Sequence, residues 1–391
     1  MLRRLPTSRL IAFVAATAAA LVACTAIAFA ALGGAGAKPA PKPLATAIHD
    51  ALTAPAAQGV TARITFTNRL IDASSITTGT SPLLSGATGR LWAAADGRFR
   101  LELQSPNGDA QVTGDGNAVS IYDPTTNQAY RITLPQDTGG TDHQAPSLTK
   151  IQDLLTKITG EAQLSGATPS NVAGRPAYTV EVSPKHDGGL IGSAQLAWDA
   201  ATGVPLRVAV YASGNAKPVL ELKATDISFG PVSSTDLTAK PPAGTKVTAL
   251  DLSSGAQGKD PSGTNADVTG PKAVAAKLGF PLSAPDTLVG LPRREVRLVN
   301  AGEDPGALVT YGAGLGGIAV LEQPVKPGDQ AGTGPDATGG LALPKVSIDG
   351  TDGQELATAL GTVVRFQRGG VQYTIIGSVP PSAAEAAARG L

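Results

Sequence analysis

Few residues in this chain have the types and spacing that chemistry requires. Its three histidines are His49, His143 and His186. None stands at the i, i+4 spacing that places two metal ligands on one helix face, and His143 and His186 sit among turn residues, so all three read as surface side chains. Glu303-Asp304 is a paired carboxylate, but it stands in a Pro/Gly loop where solvent keeps both groups charged. Acid–base work would need a cleft and a shifted pKa, and the sequence signals neither. No Gly-x-Ser-x-Gly elbow occurs among the many serines. Gly312-Ala313-Gly314-Leu315-Gly316-Gly317 satisfies the G-x-G-x-x-G form. A dinucleotide site needs a helix opening directly after it, whereas Ile318-Ala319-Val320-Leu321 continues as a strand, so these glycines predict a hairpin turn. Cys24 is the only cysteine, which excludes disulfides and cysteine-based metal sites from everything after it. The chain is therefore read as non-catalytic, with no metal and no cofactor.

The N-terminus carries the clearest signal. Arg3, Arg4 and Arg9 precede an uncharged apolar run from Leu10 to Leu32, and a small-residue and proline stretch follows from Gly33 to Pro43. Positive charge stays on the cytoplasmic side while the run crosses, so residues beyond Lys38 are expected outside the cytoplasm. Three readings of residues 1–37 stand open. The run is long enough to span a bilayer core of about 30 Å as an uncleaved anchor. Ala35-Gly36-Ala37 has the small-x-small form of a signal peptidase site. Leu21-Val22-Ala23-Cys24 resembles a lipobox, with Cys24 as the lipidated residue. Against that last reading, Thr25 to Leu32 stays apolar where a polar tether is usual. Two of the three readings place the protein at the membrane through its N-terminus.

Lys+Arg and Asp+Glu both number 31, so the chain lacks the basic face that nucleic acid would require as a partner. Aromatics make up only 4% and Gly/Pro/Asn/Asp turns recur, which favours many short strands over a helical bundle. After a linker at 38–43, Leu44, Ile48 and Leu52 at helical spacing predict a short helix over 44–55. Strands follow at Val60–Leu70, Gly89–Ala94 and Arg98–Gln104. The Asp96-Gly97 turn makes a hairpin of the last two, with Phe99, Leu101 and Leu103 on one face and Arg98, Arg100, Glu102 and Gln104 on the other. Asp115-Gly116 separates the next pair, 110–112 and 118–122, and a further strand is predicted at 129–132. Ile151, Leu154, Leu155 and Ile158 form one stripe of a helix over Leu148–Ile158. Four strands are expected at 177–182, 194–199, 206–211 and 219–229. Long antiparallel strands with one apolar face and few helices predict a curved sheet that must be covered or closed. Residues 251–270 read as a linker, and 271–391 as a smaller α+β unit whose Pro324–Gly340 stretch is a loop.

Gly89-Arg90-Leu91-Trp92, Arg98-Phe99-Arg100-Leu101-Glu102, Gly114-Asp115-Gly116 and Val119-Ser120-Ile121-Tyr122-Asp123 match the strand succession of LolA-like proteins. So do Leu196-Ala197-Trp198-Asp199 and Gly203-Val204-Pro205-Leu206-Arg207. The chain over 44–250 thus resembles the LolA-like superfamily, which includes the lipoprotein carrier LolA, the sigma-factor regulator RseB (MucB) and the lipid-binding lipoproteins LppX and LprG. The unit at 271–391 looks like the small domain that follows LolA-like domains in Gram-positive proteins. It does so through Leu288–Pro292, Ala307–Tyr311, Ile318–Gln323, Val346–Gly350 and Gly369–Gly377. The resemblance implies an α+β fold: an open, strongly curved antiparallel half-barrel with covering helices, plus a smaller C-terminal α+β domain. It also implies an apolar cavity able to take acyl chains.

Each acyl CH₂ entering such a cavity gains about 0.8 kcal/mol, so binding could proceed with no polar signature. The inward-alternating residues Phe66, Phe99, Leu101, Leu103, Val180, Val182, Leu206 and Val208 are the expected lining, a set that a one-residue slip of any strand would turn outward. An open cavity and a core filled by its own side chains look alike in sequence. Trp92 and Trp198 fit either the core or a cavity mouth. The expected ligand is a lipid or acyl chain. The alternative is an envelope regulatory domain that binds another membrane protein.

Overall fold

The computed structural model describes residues 36–71, 82–106, 108–124, 127–133, 147–185, 189–239, 241–251, 268–301, 304–325 and 344–391. Residues 1–35, with Cys24 and the apolar run, lie outside these, as do His143, His186, Glu303 and most of the linker expected at 251–270. Among the described residues no helix is long and apolar enough to cross a membrane.

Alternation builds the first sheet. Strands β1 (Gly59–Asn68), β2 (Ala87–Ala94), β3 (Phe99–Ser105), β4 (Gly108–Gly114), β5 (Ala118–Asp123) and β6 (Gln128–Thr133) form a meander of hairpins. Asp96-Gly97 and Asp115-Gly116 make the turns expected of them. Gly97 and Gly116 adopt the left-handed φ of +84° and +88°, and each aspartate accepts hydrogen bonds from the backbone just beyond it. The other half of the sheet contains β7 (Ala162–Leu164), β8 (Thr168–Val172), β9 (Arg175–Pro184), β10 (Ile191–Asp199), β11 (Pro205–Ala212) and β12 (Pro218–Phe229). β12 closes onto β1, giving the order β13-β6-β5-β4-β3-β2-β1-β12-β11-β10-β9-β7, with β8 also on β9. The sheet curls strongly into a half-barrel. Register shifts at Arg63/Ile64 and Ala197/Trp198 contribute, because a bulge bends a strand and increases its twist.

Two features differ from the sequence reading. β13 (Lys246–Asp251) pairs with β6 in parallel, so the sheet is not wholly antiparallel. The second concerns the helices. α1 (Leu44–Thr53) packs Leu44, Ala47, Ile48 and Ala51 against Tyr178, Val180 and Trp198, as its spacing predicts. The one-turn α2 (Pro82–Ser85) presses Leu83 into the sheet. α3 (Leu148–Glu161), capped by Ser147, buries only Ile151 of its apolar stripe and leaves Leu154 and Ile158 exposed.

The residues expected as a linker at 38–43 are held on the sheet. Ala40 O accepts from Tyr178 Oη at 2.6 Å, and Lys42 bridges to Ala167 and pairs with Asp50 at 2.6 Å. At the far end of β10, buried Asp199 accepts from Arg175 Nε at 2.7 Å and from the backbone of Ala201 and Thr202. That carboxylate ties the turn at 199–203 to the strand beside it.

The second sheet has eight strands: β14 (Thr287–Leu288), β15 (Leu291–Ala301), β16 (Asp304–Tyr311), β17 (Ile318–Pro324), β18 (Lys345–Ile348), β19 (Thr351–Thr358), β20 (Gly361–Arg368) and β21 (Val371–Gly377). The helices α5 (Pro271–Ala275) and α6 (Pro381–Arg389) pack on it, while the short α4 (Ser234–Leu237) belongs to the first sheet. Gly312 to Gly317 joins antiparallel β16 and β17, a hairpin as expected. Val268 and Gly270 hydrogen-bond β15, so the end of the expected linker already belongs to this sheet. Its core holds one carboxylate, Glu322, at 0% exposure. Oε2 accepts from Ser283 N at 3.0 Å, while Oε1 and the nearby Tyr311 hydroxyl have no partner among the described residues. Burial pushes Glu322 up to about 7 and, with Arg293 opposing and Glu322 adding, holds Tyr311 at about 12.

The sheets touch at one rim. Leu190 N donates to Ser378 O at 2.9 Å, Ser378 Oγ accepts from Leu190 N and Ile191 N, and Ala359 N donates to Leu70 O.

Candidate ligand cleft

Strand register shows which side chains share the concave face. One cross-strand row runs Val180–Leu196–Val208–Leu222–Phe66. Another runs Ile227–Ala62–Leu91–Leu101–Val112–Ile121. A third contains Phe229–Val60–Ala93–Phe99–Gly114. Glycine at 114 leaves room for the Phe99 ring, which a Cβ there would meet at 2.1 Å.

The structure does not gather the expected lining into one place. Phe66, Phe99, Leu101 and Leu103 are buried in the large cluster of the meander, with Leu83 of α2 against them. Asn68 secures that short helix by donating from Nδ2 to Leu83 O at 2.7 Å. Val180 is buried under α1 with Tyr178 and Trp198, and Val182 is half-buried. Leu206 and Val208 line an open cleft. Trp198 belongs to the core, 6.2 Å from the Tyr178 ring. Trp92, paired across strands with Arg100 and Thr61, lies on the outer face between the guanidinium groups of Arg90 and Arg100.

The cleft lies where β1, β2, β11 and β12 meet. It encloses about 540 Å³, counting the solvent space at its mouth. Val60, Ala62 and Ile64 of β1, Leu91 and Ala93 of β2, and Leu222, Ala224 and Ile227 of β12 complete its walls with Val204 and Pro205. It is open because three of these positions are alanine, and a sheet face lined by methyl groups cannot fill its own curvature. Reading the sequence for large inward residues misses such positions, since alanine is common everywhere in this chain.

One charged residue, Arg207, borders the cleft, and its guanidinium is bound by neighbours. Arg207 bonds Glu221 at 2.6 Å and Gln195 at 2.6 Å and also donates to the Tyr211 hydroxyl. Gln195 in turn donates to Glu181. These side chains alternate with Val208 and Leu196, so the network lies along the outer face of β9–β12 and only Arg207 brings charge to the cleft's border, whose lining is otherwise apolar. The described residues contain no group of three or more His, Cys, Asp or Glu able to hold a metal ion. His49 is a partly exposed residue of α1, its Nδ1 3.9 Å from an Asp50 oxygen.

No protein-family model and no curated protein matches the chain. Among solved structures, it is similar to the MucA/MucB complex of Pseudomonas aeruginosa, with 20% identity over 88% of this chain and 94% of that one and a TM-score of 0.40. An uncharacterized conserved protein from Thermus thermophilus shares 12% identity over 53% of this chain and 97% of that one, with a TM-score of 0.32. A LolA superfamily protein from Nitrosomonas europaea shares 10% identity over 51% and 98%, with a TM-score of 0.22. At these identities and TM-scores the likenesses are distant.

Proposed function

We propose that this is a non-catalytic protein of the cell envelope that holds a lipid or acyl chain in the cleft between β1–β2 and β11–β12. The observation that carries this reading is the cleft itself, an apolar hollow on the concave face of a curled sheet. The cavity space within it is about 50 Å³, short of the roughly 300–1,000 Å³ usual for small-ligand sites, so an acyl chain enters by spreading its apolar walls. Its largely apolar walls offer an acyl chain burial worth about 0.8 kcal/mol per CH₂, and Arg207, the one charged residue at their border, is already paired with Glu221. The apolar run at residues 10–32 supports placing it outside the cytoplasm, held at the membrane through its N-terminus, lipidated at Cys24, or released after cleavage near Ala37.

Native mass spectrometry of the protein purified from its own membrane tests the proposal, and a co-purifying lipid is the expected result. Ala62→Phe, on the floor of the cleft, and Val208→Phe, at a half-buried position, should each abolish that lipid while far-UV circular dichroism stays unchanged. Retention of lipid by both folded variants would place the ligand elsewhere. Recovery of a membrane protein with no lipid at all would replace the ligand with a protein partner.

A further inference from the structure

We propose that helix α3 is a membrane-docking surface that rests the β7–β9 edge of the half-barrel on the phospholipid bilayer. The proposal rests on reading residues 10–32 as membrane-inserted. It does not depend on what the cleft binds.

The helix has an apolar stripe left exposed among the described residues. Ile151, at its centre, is buried, but Leu154 is 53% and Ile158 44% exposed, and Leu148 is also exposed. The neighbouring α1 leaves Leu52 half exposed. At 100° per residue, Lys150 and Lys157 flank the stripe beside Leu154, and both are exposed. From there their stems can lie along the apolar face while the amines reach lipid phosphates.

The path of the chain says what covers this stripe. Ala37 O accepts from Asn171 Nδ2 on β8 at 2.9 Å, and Ala40 and Lys42 are fixed to Tyr178 and Ala167. The chain therefore enters the fold along the outer side of β8. β7 and β8 share the free side of β9, and α3 runs directly into β7. Only five residue steps separate Leu32, the end of the apolar run, from Ala37. Fully extended, they span at most about 18 Å at roughly 3.6 Å per residue. A bilayer holding residues 10–32 must then pass within that distance of Ala37, at the β8 end of the edge whose β7 end α3 joins.

The test uses the full-length protein in phospholipid vesicles whose acyl chains are brominated, which quench only tryptophan inserted among them. Leu154→Trp and Ile158→Trp occupy exposed positions and should fold normally. Relative to the parent chain, each should lose most of its added emission, while Leu315→Trp, in the exposed hairpin of the second sheet, should lose none. Unquenched emission at 154 and 158 in protein that floats with the vesicles would overturn the proposal, and failure to float would remove its premise. Quenching by free brominated fatty acid without vesicles would assign the stripe to cargo and overturn it too. Absence of lipid in the cleft, read by native mass spectrometry, would leave the vesicle result untouched.

Discussion

Replacing Glu322 with glutamine should remove most of the pH dependence of the second sheet's stability. The carboxyl is fully buried, takes one backbone hydrogen bond from Ser283 and leaves Oε1 unpaired. Burial moves it from 4.5 to about 7 in the folded protein. A raised carboxyl pKa means that the folded state binds the proton more tightly than the unfolded chain, so stability is greatest at low pH and falls as pH rises from about 4.5 to 7. At about 1.4 kcal/mol per pH unit, the loss amounts to roughly 3 kcal/mol above neutrality. Glutamine keeps an acceptor for Ser283 N and carries no charge, so Glu322→Gln should match the parent at about pH 4 and below and exceed it by about 2–3 kcal/mol at pH 8. Urea unfolding followed by circular dichroism measures this. Both tryptophans, Trp92 and Trp198, lie in the first sheet, so their emission is an internal control whose midpoint should not move. An unchanged pH slope in the variant would refute the reasoning.

Asp199→Ala strands Arg175 and two backbone amides at a buried turn, and should cost about 3–5 kcal/mol in the tryptophan-monitored transition. Gly114→Ala places a methyl group into the Phe99 ring and should destabilise the same transition by about 1–3 kcal/mol. Gly189 has a left-handed φ of +63°, and a Cβ there would meet Ser378 O at 1.8 Å. Gly189→Ala should therefore part the two sheets at that rim, increasing the radius of gyration by small-angle scattering while both unfolding midpoints hold.

Much of this architecture is written locally. The alternation Phe99-Arg100-Leu101-Glu102-Leu103 decides which face of β3 is buried, and Asp96-Gly97 and Asp115-Gly116 decide where the chain reverses. β8, with the polar stretch Thr-Pro-Ser-Asn-Val, and β13, with Lys-Val-Thr-Ala-Leu-Asp, escape a local reading. β8 is a strand because the Ala173-Gly174 turn folds it onto β9, and β13 because the distant β6 supplies its hydrogen bonds. The stripe on α3 is legible as a pattern, but its exposure is not, since periodicity says which residues align and not what lies opposite them.

The sequence by itself determined the hairpins and the inward phase of the strands, because these follow from side-chain type and spacing of two or three or four residues. Only the tertiary structure decided where the concave face stays open. That depends on Ala62, Ala93 and Ala224 meeting across β1, β2 and β12, and on the bulge that bends β1 beside them. Hollow space is set by what distant strands bring together, and no single segment encodes it.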